Sequence, residues 1–256
     1  MDYNYHTHTI RCGHAKGSDE QYILSAIEAG LKVLGFSDHI PYPLVSHPSD
    51  RMDYNRMDEY IKSIRLLQVK YQDQIEIKLG FEMEYFIEFK DYYTQVRSQV
   101  DYLICGQHSK FCDSYEYSAY CNDDDLEVYA SQVVSAIESG LVSFIAHPDY
   151  FMLGRKVWND SCDRAAHKIA HAAQTHHIPL EINLNGLRFG PKKTNVGLLY
   201  PYPCGPFWKI ISEYHVDCIL SFDAHYPQIL LDKERIETVK EILVGLNLNI
   251  LDHYRL

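Results

Sequence analysis

Short hydrophobic segments alternate with amphipathic helical segments along this chain, and the alternation constrains the fold more than any single motif. Strand-like runs are predicted at residues 2–5, 33–36, 75–81, 102–106, 142–146, 179–184 and 217–222, with a further short strand at 248–251. A helix or a long loop follows each of the seven main runs. Such alternation is typical of parallel sheets with right-handed crossovers. The sequence therefore predicts an α/β fold whose seven units either close into a barrel or remain an open sheet.

Capping residues indicate where helices begin and end. The segment Ser18-Asp19-Glu20-Gln21 has the capping-box pattern, in which Ser18 and Gln21 each satisfy a free backbone N–H. Gly30 is placed to end this first helix. Three consecutive aspartates at 123–125 are expected to start another helix, where their charge suits the N-terminal dipole. Segments 110–125 and 185–206 are expected to contain long loops, and the first is aromatic enough to face a substrate.

Composition narrows the class of protein. The 256 residues suit a single domain spanning 1–256. A net charge of −11 argues against nucleic acid as a partner, because phosphate backbones require basic patches. The sequence has neither a signal peptide nor an apolar run near the ~18 residues of a membrane span. Seven cysteines without CxxC spacing predict reduced thiols and a cytoplasmic protein.

Side chains that bind metal ions occur where the predicted strands stop. They are His6, His8, His14, Asp38, His39, Glu82, His108, His147, Asp223 and His225. Six of the seven predicted strand ends carry such residues, whereas an open sheet draws its site from loops around one switch point. Parallel barrels place their chemistry at the C-terminal ends of all strands. The distribution therefore favours ring closure.

The spacing of these residues suggests how ions would be shared. Side chains alternate along an extended segment, so His6 and His8 point the same way and can bind one ion. Glu82 offers two oxygens and suits a bridge between two cations. Asp223 can complete the coordination of one ion while His225 points to another. Zn, Mn and Fe all accept such ligands, and Cys12 is either a further ligand, a reactive thiol or a small neighbour of Gly13.

These motifs resemble those of the PHP (polymerase and histidinol phosphatase) superfamily. The resemblance rests on His6-Thr7-His8, Cys12-Gly13-His14, Ser37-Asp38-His39, Gly80-Phe81-Glu82, His108, Ala146-His147-Pro148 and Asp223-Ala224-His225. Two further stretches are similar to the histidinol-phosphatase branch. The first is Cys12-Gly13-His14-Ala15 followed by Ser37-Asp38-His39-Ile40-Pro41, and the second is 181–188 followed by Tyr200-Pro201-Tyr202-Pro203. The resemblance covers residues 3 to about 230.

The resemblance implies a distorted (β/α)7 TIM-like barrel with three divalent metal ions at the C-terminal strand ends. By motif, His6, His8, Glu82 and Asp223 would hold the first ion. Glu82, His108 and His147 would hold the second, and His14, His39 and His225 the third. The expected reaction is hydrolysis of L-histidinol phosphate in histidine biosynthesis, by attack of a metal-bridging hydroxide.

Other residues are expected to serve the substrate. Arg155 and Arg188 follow predicted strands and can bind phosphate through paired hydrogen bonds. Asp223 or His225 is expected to pass a proton to the leaving alcohol through water. Aromatic and acidic residues between Phe111 and Tyr120, including Asp113 and Glu116, suit the imidazole and ammonium of histidinol.

Several alternatives remain open at the level of the sequence. The substrate could instead be a nucleotide, a sugar phosphate or phosphotyrosine, and a metal-binding module without catalysis is a different class of function. A phosphate-release assay separates the last from the others. The oligomeric state is not readable from the sequence.

Overall fold

The strand–helix alternation produces one sheet of eight parallel strands in the structure, a computed structural model that describes residues 1–112 and 114–256. The strands are β1 (Tyr3–Asn4), β2 (Val33–His39), β3 (Glu76–Met83), β4 (Tyr102–Cys105), β5 (Ser109–Phe111), β6 (Ser114–Glu116), β7 (Phe144–Ile145), β8 (Leu180–Asn183), β9 (Lys192–Thr194), β10 (Gly197–Leu199), β11 (Asp217–Ser221) and β12 (Asn249–Ile250). All belong to the main sheet except the hairpins β5–β6 and β9–β10, and strand order follows chain order.

The helices follow the strands as the sequence predicts. They are α1 (Asp19–Ala29), α2 (Met57–Tyr71), α3 (Lys90–Arg97), α4 (Asp123–Glu138), α5 (Asp160–His176), α6 (Gly205–Ile211) and α7 (Lys233–Ile242). The capping box at the start of α1 is confirmed, since both the Ser18 and the Gln21 hydrogen bonds are present. Gly30 ends the helix in the left-handed conformation, with φ of 81°. The acidic run likewise opens α4, with Asn122 as the cap.

The two sides of the sheet meet beyond β1 and β11. Thr7 and Ala224 form a parallel bridge there. The N–H of His8 donates to the carbonyl of Ala224 at 2.9 Å, and the N–H of Ala224 donates to the carbonyl of His6 at 3.0 Å. The expected distorted barrel is therefore confirmed, with the short terminal strand β12 added beside β11.

A layer of apolar side chains fills the inside of the curled sheet. Its buried members are Tyr3, Tyr5, Val33, Tyr102, Ile104, Phe144, Ala146 and Ile219. The C-terminal segment of the chain covers one end of this layer. The Tyr3 hydroxyl donates to the carbonyl of Leu251 at 2.7 Å, and the Tyr5 hydroxyl donates to the carbonyl of Tyr254 at 3.0 Å. The other end of the barrel is therefore the one where polar ligands can gather.

The helices cover the outer face of the sheet with apolar side chains. Ile23, Tyr60, Ile64, Leu126, Tyr129, Val133 and Ile137 are buried among them. Burial of each such side chain contributes about 1.5–3 kcal/mol. This layer holds the strands in place, and the strand ends in turn fix the site.

The two segments expected to be long loops contain short hairpins. Strands β5 and β6 pair within residues 109–116, and β9 pairs with β10 within residues 192–199. The Thr194 hydroxyl donates to the carbonyl of Gly197 at 2.8 Å and stabilises the second turn. Asp113, which the sequence suggested as a substrate contact, lies outside the described residues.

Two further expectations concern membranes and thiols. Among the helices in the described part of the chain, none combines the length and apolar character needed to cross a bilayer. The described cysteines form no disulfide in this structure.

Candidate metal centre

The C-terminal strand ends bring the predicted metal ligands to one end of the barrel. Their elements are the segment after β1 (His6, His8 and His14), the ends of β2 and β3 (His39 and Glu82), and the segments after β4, β7 and β11 (His108, His147, Asp223 and His225). All but His6 line one cavity of about 130 Å³, and His6 is fully buried. Residues that are far apart in the sequence thus form a single cluster.

The first group surrounds one oxygen from each of two carboxylates. Nε2 of His8 is 3.0 Å from Oδ1 of Asp223 and 3.5 Å from Oε2 of Glu82. Nε2 of His6 is 3.5 Å and 3.4 Å from the same two oxygens. The two imidazole nitrogens are 3.1 Å apart. Four ligand atoms therefore face a common point, as predicted for the first ion.

The second group uses the other oxygen of Glu82. Oε1 is 2.9 Å from Nε2 of His147 and 3.5 Å from Nε2 of His108. Oε2 meanwhile is 3.1 Å from Nδ1 of His39. The two oxygens of one carboxylate therefore face different sets of imidazoles, which is the geometry of a bridging ligand.

The third group lies nearer the surface. Nε2 of His14 is 2.9 Å from Nε2 of His225. His39 and His225 also lie close to His8, with ligand nitrogens within 4.8 Å of one another. The structure thus brings His14, His39 and His225 together, and His8 lies beside them as well as in the first group.

Cys12 lies beside this third group. Its Sγ is within 4.8 Å of the ligand nitrogens of His14 and His225. The sulfur accepts the N–H of Ala15 at 3.3 Å, and burial strongly raises the pKa of the thiol. These contacts favour a packed neighbour in the thiol form over a reactive thiolate.

Three of the imidazoles are held by an acceptor on the side away from the cluster, and two more have a carboxylate near that side. Nδ1 of His6 is 2.8 Å from Oε1 of Glu181. Nδ1 of His108 lies 3.6 Å from Oε1 of Glu84, and Nδ1 of His8 lies 3.6 Å from Oδ1 of Asp38. The remaining contacts are to backbone carbonyls, from His14 to Cys12 at 3.1 Å and from His225 to Asp223 at 2.9 Å. Metal-binding histidines in proteins are held by such outer acceptors.

Neighbouring opposite charges shift the pKa values of side chains in the cluster. Burial alone raises the pKa of Glu82, but the surrounding imidazoles outweigh it and hold this pKa well below the usual range. The same balance lowers the pKa of Asp223. Burial lowers the pKa of His8, yet the neighbouring carboxylates of Asp223 and Asp38 raise the value to about 9. The carboxylates are therefore ionised, as metal ligands must be.

Unsatisfied buried atoms show that the cluster fits cations. Oε2 of Glu82 and Oδ1 of Asp223 are buried and accept no well-formed hydrogen bond from residues 1–112 or 114–256. Such atoms are costly unless a partner is supplied. Asp223 and His147 also adopt left-handed backbone conformations, with φ of 48° and 28°. Strained backbone of this kind concentrates at functional sites.

The cavity also contains residues that the motif analysis did not assign. They are Asp50, Tyr150, Asn185 and Tyr202, together with Glu116, which the sequence suggested only as a loop contact. Asn185 donates to Oδ2 of Asp223 at 3.1 Å. Glu181 is buried beneath the cluster, and in the sequence it is only the first residue of the stretch 181–188. Its position below two ligands could not be read from sequence spacing.

The two predicted phosphate-binding arginines differ in position. Arg188 is exposed and lines the cavity, and within the described chain its guanidinium forms no hydrogen bond or ion pair. Its planar group lies 4.6 Å from the centre of the Phe189 ring. It is thus available to a phosphate.

Arg155 is not brought to this cavity, which corrects the expectation for it. Its guanidinium donates to the carbonyl of Cys121 at 2.8 Å and to Oδ1 of Asp123 at 2.7 Å. It also donates to Oδ1 of Asn159 at 3.3 Å. The turn Tyr150–Gly154 separates it from His147, and acceptors around the start of α4 and the cap of α5 engage its two terminal nitrogens. Arg155 therefore holds elements together in this structure.

The fold and the cluster define a barrel protein that can hold several divalent cations through shared histidine and carboxylate ligands. The chain belongs to the PHP domain family, whose model matches residues 4–185. The match includes seven of the nine clustered residues, and Asp223 and His225 lie beyond it.

Several known proteins similar to this chain are named histidinol-phosphatases, and others are named probable phosphatases. A probable histidinol-phosphatase of Deinococcus radiodurans is 29% identical over 233 residues, which cover 87% of this chain and 85% of that protein. The histidinol-phosphatase of Bacillus subtilis is 30% identical over 92 residues, 34% of each chain. The crystal structure of histidinol phosphate phosphatase from Lactococcus lactis, complexed with Zn, L-histidinol and phosphate, superimposes with a TM-score of 0.73 at 19% identity, covering 98% of this chain and 95% of that one. This structural likeness confirms the fold.

Proposed function

We propose that the protein is a metal-dependent phosphomonoesterase that hydrolyses L-histidinol phosphate to L-histidinol and phosphate. The observation that carries the proposal is the position of Glu82. Its Oε2 lies 3.4 Å from His6 and 3.5 Å from His8, and its Oε1 lies 2.9 Å from His147. One carboxylate between two sets of imidazoles supports neighbouring cations, and neighbouring cations are suited to phosphate ester hydrolysis.

The residues divide among three ions in the proposal. The first would be held by His6, His8, Glu82 and Asp223, the second by Glu82, His108 and His147, and the third by His14, His39 and His225. Imidazole and carboxylate ligands suit Zn, Mn or Fe. When bound, such ions lower the pKa of water and offset negative charge on a phosphate.

The remaining groups of the chain would position the phosphate and its leaving group. Arg188 at the cavity wall offers a planar pair of donors to phosphate oxygens. Asp223 and His225 stay candidates for passing a proton to the leaving alcohol through water, although each is also a proposed ligand. Nδ1 of His225 is held by the carbonyl of Asp223 at 2.9 Å, which directs its Nε2 toward the cluster.

The other wall of the cavity favours a cationic alcohol. Asp50 and Glu116 both line it, as do the rings of Tyr150 and Tyr202. Burial raises the pKa of Asp50, but His39 and the neighbouring Arg51 outweigh it and lower this pKa, so the carboxylate is ionised. Histidinol carries an ammonium and an imidazole that these groups would bind. A nucleotide or a sugar phosphate lacks the ammonium of histidinol, and phosphotyrosine lacks its imidazole.

The wider setting of the protein follows from the same proposal. We place the protein in the cytoplasm and in histidine biosynthesis, as one domain over residues 1–256. The absence of disulfides among the described cysteines supports a reducing compartment.

A panel of phosphomonoesters tests the substrate assignment. The metal-loaded protein should show its highest kcat/KM with histidinol phosphate, ahead of a nucleotide, a sugar phosphate and phosphotyrosine. Glu116→Gln should raise KM for histidinol phosphate roughly tenfold, because it removes a hydrogen bond to a charged group. The same variant should leave KM for p-nitrophenyl phosphate unchanged. Equal kcat/KM across the panel would remove the biosynthetic assignment, and no phosphate release from any ester would remove the phosphatase.

A further inference from the structure

A second cavity of about 590 Å³ adjoins the metal centre. It shares His14, His225 and Arg188 with the cavity already described. Its other walls come from Lys16, Gly17 and Gln21 before and within α1, and from residues 226–228 after β11. A molecule that leaves the cluster on the side of His14 and His225 therefore enters this second cavity.

The side chains that line the second cavity carry positive charge. Lys16 and Arg188 line it, and no carboxylate occurs among its lining residues in the described chain. The chain as a whole has a net charge of −11, and the first cavity includes Asp50 and Glu116. Neither the ammonium of Lys16 nor the guanidinium of Arg188 forms an ion pair or hydrogen bond within residues 1–112 and 114–256. Two available cations thus lie beside the proposed phosphate site.

Backbone contacts fix the position of Lys16. Its N–H donates to the carbonyl of His225 at 2.8 Å, and its carbonyl accepts the hydroxyl of Tyr22 at 2.8 Å. The next residue, Gly17, has φ of 92°, and a Cβ there would lie 2.7 Å from Cγ of Pro227. Glycine therefore allows the loops on the two sides of the cavity to approach closely. The side chain of Lys16 is exposed and extends from a fixed backbone.

An amide in the same wall adds a donor. Oε1 of Gln21 accepts the N–H of Ser18 at 2.8 Å in the capping box. The capping bond occupies the oxygen of this amide and leaves its NH2 group to donate. Phosphate oxygens accept from ammonium, guanidinium and amide donors alike.

We propose that this second cavity is an anion-binding subsite that receives inorganic phosphate as it leaves the metal centre. The inference rests on the proposed phosphatase function for the source of the phosphate. A phosphate dianion that passes His14 and His225 moves toward the positive charge of Lys16. The alternative route out of the first cavity passes the carboxylates of Asp50 and Glu116, which repel it.

Equilibrium dialysis with labelled inorganic phosphate tests the subsite on the metal-loaded protein. Wild type should bind two phosphates per chain, and Lys16→Gln should bind one. Lys16→Arg should restore the second phosphate, because it returns the positive charge. Lys32→Gln serves as the matched control, since Lys32 is exposed and adjoins the start of β2 at the opposite end of the barrel. This control should retain both phosphates.

Contrary results are equally clear. Equal numbers of phosphates on wild type and on Lys16→Gln would overturn the subsite. Turnover of histidinol phosphate by wild type is measured separately. Its absence would contradict the proposed function, whereas the loss of one phosphate from Lys16→Gln relative to wild type still reports the subsite, so the two failures are distinguishable.

Discussion

Oε1 of Glu181 lies 2.8 Å from Nδ1 of His6, and both side chains are fully buried. The other oxygen of Glu181 accepts the backbone N–H of His147 at 2.9 Å. One carboxylate at β8 thereby fixes proposed ligands that follow β1 and β7. The contact orients the His6 ring so that its Nε2 faces the cluster.

Replacing Glu181 should weaken metal binding without removing a ligand. Glu181→Gln is expected to lower metal affinity or activity by 10- to 100-fold, the usual cost of losing an acceptor behind a metal-binding histidine. Metal titration and steady-state kinetics measure the effect. Glu138→Gln, at an exposed position in α4, is the matched control and should behave as wild type. Wild-type metal affinity in Glu181→Gln would show that this contact does not position a ligand.

Gly106 makes room for the bridging carboxylate. A Cβ at this position would lie 1.9 Å from Oε1 of Glu82 and 2.7 Å from Cε1 of His147. Gly106→Ala should therefore displace Glu82 and reduce the metal content of the purified protein. Gly205→Ala is the control, because a Cβ at Gly205 meets no atom within 4 Å. Full metal content in a folded Gly106→Ala protein would contradict the proposed bridge.

Asp101 should contribute pH-dependent stability far from the cluster. Its carboxylate accepts the N–H of Leu79 at 2.8 Å, Nη1 of Arg65 at 2.7 Å and the amide of Gln68 at 2.9 Å. Burial raises the pKa of Asp101, but these donors outweigh it and lower the pKa. The stabilisation is therefore complete above the unfolded pKa of about 3.9 and is lost as the pH falls through the lower folded value.

Chemical denaturation of Asp101→Asn checks this expectation. At pH 7 the substitution should reduce the free energy of unfolding by about 1.5–3 kcal/mol, the range for hydrogen bonds to a charged group. The difference from wild type should shrink below about pH 4, where the wild-type carboxyl also becomes protonated. Asp73→Asn, at an exposed position after α2, should have little effect. A difference that is constant with pH would rule out the ionised carboxylate as its source.

Local sequence signals predicted much of the fold and many members of the cluster. Ser18 and Gln21 are near in sequence, so their capping box could be predicted from spacing alone. His6 and His8 share a face because alternation along extended backbone is a local property. Strand-end positions then brought residues as distant as Glu82 and Asp223 to one place, since parallel barrels gather their strand ends.

Contacts between distant residues were not predictable in the same way. Glu181 lies 175 positions from His6, and nothing in its spacing shows that it meets Nδ1 of that ring. Arg155 follows His147 in sequence, yet its guanidinium finds acceptors at Cys121 and Asp123. The acceptors of a long cationic side chain depend on how the chain packs around it. That packing involves residues distant in sequence and cannot be predicted from local spacing.

Metal content and phosphate release, measured together on the same protein, test the central claim most directly. Chelated protein should release no phosphate from histidinol phosphate, and added Mn or Zn should restore turnover as three ions per chain are bound. Glu82→Gln should bind fewer ions and show a strongly reduced kcat, because one change weakens two proposed sites. Full turnover by protein shown to be metal-free would contradict the account.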